Sequence, residues 1–137
     1  DLSPTARHGL ETAAVIGRTF DLDIWTQVWQ RDEESVLETL DLLLRRHLLR
    51  EGEGPFARDY EFDHHLVREV VYQGLPRRRR QRLHVRTARV WESRRTAEDS
   101  HSAEIAFHYL RAEMWLQARS YLLAAGDQAV HAAADTE

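Results

Sequence analysis

The chain holds eight histidines and nineteen basic residues, every one of the latter an arginine, and these are its side chains best suited to chemistry. His64 and His65 are adjacent. An imidazole can ligate a metal or donate to an anion, but neighbouring helical residues diverge by roughly 100°, which suits a shared metal badly. His101, Glu104 and His108 fall at i, i+3 and i+7, one helical face that could ligate a metal or simply pack. We expect no metal site. Arg77, Arg78, Arg79 and Arg80 run together and are followed by Arg82, Arg86 and Arg89. Such a patch could neutralise nucleic-acid phosphates with steep salt dependence; the reading we favour is electrostatic pairing within the chain or with a neighbouring domain.

Nucleophilic and redox chemistry have little to work with. There is no lysine, hence no P-loop GK[ST], no Schiff-base lysine and no Ser-Lys dyad. There is no cysteine, hence no disulfide, thiolate metal site or thiol nucleophile. None of Ser3, Ser35, Ser93, Ser100, Ser102 and Ser120 sits in a G-x-S-x-G elbow. We expect no catalytic residue and no cofactor held by this segment alone.

The elements that must position these residues are legible from pattern. At 137 residues, 42% hydrophobic and 31% charged, the chain suits one globular domain or two small ones. No apolar run approaches the roughly 20 residues that span a bilayer, and no signal-peptide pattern opens it. We therefore expect a cytoplasmic protein without a membrane partner, and read the segment as a piece of something longer. The net charge of −4 is unevenly spread: residues 77–95 hold nine arginines and one acid, a net +8 between acidic flanks. That change of composition just after Pro76 marks the division we expect, 1–76 and 77–137.

Ser3-Pro4 reads as a helix start, with Leu10, Ala13, Ala14, Val15 and Ile16 as a buried stripe and Gly17 as the stop. Phe20 leads into a second helix capped by Asp21 or Asp23, with Ile24, Trp25, Val28 and Trp29 inward. A third runs from Asp32 to Arg46 on Val36, Leu37, Leu40, Leu43 and Leu44. Leu48–Glu51 and Ala57–Phe62 read as two strands joined by a Gly52-Glu53-Gly54-Pro55 turn. Three helices and a two-stranded hairpin make the order of a winged helix. Further on come an amphipathic helix over His64–Leu75, one long basic helix over 77–95, and an αα-hairpin whose first helix is capped by Ser100 or Ser102 and whose turn lies near Ala112–Met114. The fold class is mainly α. The four tryptophans, Trp25, Trp29, Trp91 and Trp115, sit at amphipathic positions and read as packing residues. In a DNA-reading winged helix the third helix would enter the groove, yet it offers Glu33, Glu34, Glu38 and Asp41 before its first arginine, Arg45. Major-groove readers place Arg, Lys, Asn or Gln there.

Several local words carry a resemblance. Leu2-Ser3-Pro4 with Ala13-Ala14-Val15-Ile16-Gly17-Arg18-Thr19-Phe20-Asp21, Leu43-Leu44 with Leu48-Leu49-Arg50, Phe62-Asp63-His64-His65-Leu66-Val67-Arg68-Glu69-Val70-Val71-Tyr72, and Arg82-Leu83-His84 together resemble the winged-helix segment of bacterial STAND signalling ATPases, including large LuxR-type regulators. Ile105-Ala106-Phe107-His108-Tyr109-Leu110 with Ala118 and Tyr121 is similar to the tetratricopeptide-like hairpin that opens their sensor region. The resemblance implies a non-catalytic regulatory module. An upstream P-loop domain would bind ATP or ADP in the full-length protein, downstream helical repeats would sense a signal, and the full-length protein would act in transcription regulation with DNA as a further partner. It also resembles the M-H-D-L-V-R word of NB-ARC switches, whose histidine contacts the ADP β-phosphate; by position that is His64, with Asp63 standing where Met is usual and His65 where Asp is usual. The alternatives are a winged helix that binds DNA through the Arg77–Arg95 helix, and a plain protein-interaction module using the hairpin.

Overall fold

The computed structural model describes residues 2–53 and 59–135. It is mainly helical, with seven helices and one three-stranded antiparallel sheet among the described residues. The chain divides into two compact units, Asp1–Leu83 and His84–Glu137.

Unit 1 begins with α1 (Pro4–Ile16), whose N-cap Ser3 accepts from the Ala6 amide at 3.2 Å. Gly17 ends it at φ 152°, a backbone conformation that side chains disfavour. The chain then makes β1 (Thr19–Asp21), α2 (Leu22–Trp29) and α3 (Glu33–Arg45), followed by β2 (Leu49–Glu51), β3 (Asp59–Phe62) and α4 (His65–Gln73). Of the two candidate caps for α2 the structure uses Asp21, which accepts from the Ile24 amide at 2.7 Å. Asp32 caps α3 as its position predicts; the Ser35 hydroxyl and then the Ser35 amide hold its carboxyl below the usual carboxylate range.

The sheet differs from the two-stranded hairpin expected. It has the order β1–β3–β2, with Phe20 opposite Tyr60 and Arg50 opposite Glu61. A three-residue strand shows no alternation to read, and β1 exists because β3, about 40 positions away, supplies its backbone partners. Positions 54, 55, 57 and 58 of the expected turn and strand lie outside the described residues.

The core of unit 1 forms where the sheet meets the helices. Trp25 is fully buried, its indole N–H donates to the Gly9 carbonyl at 2.9 Å, and its ring stacks on Trp29 at 5.5 Å. Phe20 bridges Trp25 and Phe62, at 5.6 and 6.5 Å. Gly9 is required by this packing, since a Cβ there would stand 2.7 Å from the Trp29 ring. A second cluster joins Val15, Leu75 and Leu83, with Tyr72 against it. By contrast α4 buries no residue: its Arg68 Nε donates to the Ala14 carbonyl at 3.0 Å, while Leu66 and Val70 stay 64% and 72% exposed.

The long basic helix is α5 (Arg77–Ser93), and the division between the units falls within it. Unit 2 contains its C-terminal part, then α6 (Ser102–Arg111) and α7 (Trp115–Asp135). Residue 101 itself, rather than Ser100 or Ser102, is the N-cap of α6; His101 adopts the left-handed conformation at φ 51° and makes no side-chain cap bond. The Ser100 and Ser102 hydroxyls are instead bonded to each other at 2.8 Å. Between α6 and α7 the chain reverses through Ala112–Met114, with Glu113 left-handed at φ 62°. Ala88, Ile105, Tyr109 and Ala118 form the core of this unit, with Trp91, Met114 and Tyr121 packed on it. Trp115 departs from the packing role expected of it: it is 60% exposed, as are Leu116 and Leu123 to at least that degree. Amphipathic spacing identifies an apolar face but not whether anything covers it. No helix among the described residues is long and apolar enough to cross a membrane.

Candidate functional site

His64 is the N-cap residue of α4, in extended conformation and exposed, and its side chain makes no capping bond. It lies two residues after the end of β3, so the sheet fixes where α4 starts. His65 is exposed as well. The N-terminal turn of a helix concentrates N–H groups and the positive end of the helix dipole, which favours anions. Beside α4 runs a groove of about 510 Å³ against α1, walled by Leu10, Leu48, Val67 and Val71 together with Arg7 and Glu11.

The arginines of α5 are not equivalent. Arg79 Nη2 lies 3.3 Å from Glu11 Oε1 on α1, and the Arg80 guanidinium sits 5.3 Å from the centre of the Tyr72 ring. Those two are turned onto their own unit. Arg77, Arg78 and Arg82 are exposed, and in unit 2 Arg89 is exposed and Arg86 half-buried. On α3, Glu33, Glu34, Glu38 and Asp41 are all exposed, as are Arg45 and Arg46 at its end.

The three residues at i, i+3 and i+7 do not come together as a ligand set. His101 stacks on Trp91 at 4.8 Å with its Nδ1 3.4 Å from Asp99, Glu104 faces solvent, and His108 is buried. Among the described residues no group of three or more histidines, aspartates or glutamates is placed to hold a metal. Comparison with protein-family models, curated proteins and solved structures finds no match to this chain.

Unit 2 contains two polar arrangements whose pairing no motif announces, although several of their residues fall within the words quoted above. The Glu92 carboxylate accepts from the Tyr109 hydroxyl at 2.7 Å and from the Tyr121 hydroxyl at 2.6 Å, and the Arg95 guanidinium covers the Tyr121 ring at 5.3 Å. Burial and then the Glu92 carboxylate push the Tyr109 phenol up to about 12 and raise that of Tyr121 for the same reasons. The second arrangement is His84 with His108, their Nδ1 atoms 2.9 Å apart. In sequence these contacts span 17, 29 and 24 residues; the polar residues occupy helix faces that pattern analysis reserves for apolar side chains.

Proposed function

We propose that unit 1 is a winged helix and that the chain is a non-catalytic regulatory module of a STAND-type signalling ATPase, coupling the nucleotide state of an upstream P-loop domain to a helical sensor region to which unit 2 belongs. The element order α1–β1–α2–α3–β2–β3 with the sheet order β1–β3–β2 supports the winged-helix assignment. The functional reading comes from the resemblance of the words around His64, and the observation that supports it is that His64 stands exposed and without a capping bond at the start of α4. In this role an imidazole at the N-terminal turn of α4, where N–H groups and the positive end of the helix dipole collect, favours the β-phosphate of ADP bound by the neighbouring domain, holding the resting state. The adjoining α1–α4 groove, with the exposed Leu66 and Val70, suits an apolar contact with that domain. In the full-length ATPase, His64→Ala is expected to lower the ADP retained through gel filtration by about tenfold, the loss of one hydrogen bond to a charged group. Unchanged retention and unchanged basal activity would remove His64 from the switch.

Four exposed acids on α3 oppose contact with a polyanion. The exposed Arg77, Arg78, Arg82 and Arg89 favour a second reading, duplex binding through α5. Fluorescence titration of the chain with duplex DNA at 50 to 200 mM salt separates the two readings. The regulatory reading expects no saturable binding. A slope of log affinity on log salt of about −3 to −4, one ion released for each such arginine, would establish the second.

A further inference from the structure

His84 and His108 are 0% and 3% exposed, and their Nδ1 atoms stand 2.9 Å apart. At that distance one ring donates its Nδ1 proton and the other accepts at a bare Nδ1. The pair is then neutral or singly charged; with both imidazoles protonated, two N–H groups and two positive charges would face each other. The Phe107 ring lies edge-on to both imidazoles, at 6.2 and 5.1 Å. We propose that the His84–His108 pair is an acid-sensitive latch between α5 and α6, closed while it carries at most one charge and opened when both rings are protonated.

Within unit 2 the charged groups on the packed helices are mixed in sign. On α5 they are Arg86 and Arg89, with Glu92 engaged by the two tyrosines. On α6, Arg111 lies over the Phe107 ring at 5.2 Å, and Glu104, one turn before His108, is solvated and screened. On α7, Arg119 and Asp127 are exposed. In an unfolded chain both imidazoles take up protons as pH falls through about 6.5. The opened state, with both rings charged, therefore binds at least one proton more than the closed one, so closure is favoured at neutral pH and its equilibrium constant falls at least about tenfold for each pH unit below about 6.

Hydrogen exchange on the intact 137-residue chain reads this directly, after correction for the pH dependence of intrinsic exchange. Protection at Ile105, Ala106 and Tyr109 is expected to fall at least about tenfold between pH 6 and pH 5, with Ala13, Ala14 and Val15 in unit 1 unchanged. The double variant H84N/H108N, whose amides can bond to each other and do not titrate, is expected to lose that dependence. If the variant fails to fold, ring 15N shifts of the wild-type histidines decide instead. Both rings becoming protonated while α6 protection holds would overturn the latch, and so would a parallel loss in α1, which would mark general acid unfolding.

Discussion

Trp25→Ala is expected to cost unit 1 about 3–5 kcal/mol, a large part of the roughly 5–15 kcal/mol that stabilises a domain. The side chain is wholly enclosed, so its removal leaves a cavity rather than a surface hollow. Two further losses add to the transfer term. The Gly9 carbonyl gives up the indole N–H at 2.9 Å, and Phe20 and Trp29 lose the ring that stands between them at 5.6 and 5.5 Å. Trp25→Phe keeps an aromatic surface but no donor, and should fall between the two. Urea unfolding followed by tryptophan fluorescence checks both, through a lowered midpoint at constant slope. A cost below about 1 kcal/mol for the alanine variant would mean that the helices and sheet do not share Trp25 as their centre.

In unit 2, Glu92→Ala is expected to cost about 2–3 kcal/mol. It strands two phenolic donors, of which Tyr109 is buried, and removes the joint between α5 and both helices of the hairpin. Glu92→Gln retains one acceptor oxygen and should recover about half of the loss. The same cluster sets an alkaline limit. Folded Tyr109 keeps its proton up to about pH 12, whereas an unfolded tyrosine releases it near 10. Its stabilising effect is therefore complete below about pH 10 and is lost as pH rises toward about 12. Tyr109→Phe should flatten that limb in a thermal-melt series from pH 9 to 12. A Glu92→Ala variant as stable as the parent, with the alkaline limb intact, would show that the tyrosines find other acceptors.

Much of the helical framework was legible before any tertiary contact was known. Ser3 and Asp32 cap their helices through bonds to residues three positions on, so sequence alone specifies them. Gly17 ends α1 by its own backbone freedom. The site was less legible. Position and resemblance single out His64, but they do not say that it stands exposed and uncapped. The run of arginines reads as one patch, yet only the fold separates Arg79, drawn to Glu11, and Arg80, drawn to Tyr72, from exposed Arg78 and Arg82.

What the sequence determined by itself was local: where helices begin and end, the segregation of +8 onto residues 77–95, and the absence of lysine and cysteine that removes whole classes of chemistry. These depend on a residue and its neighbours within a turn, where chain connectivity already supplies the proximity. Tertiary structure decided the third strand, the choice of Asp21 over Asp23, the enclosure of Trp25, the two tyrosines on Glu92 and the contact of His84 with His108. Each of these except the Asp21 cap requires a partner many residues away. Even that cap sits at the end of β1, a strand whose backbone partners in β3 lie about 40 positions further on. Such contacts form only after the entropy of closing long loops has been met by burial elsewhere, and no short window of sequence records that balance.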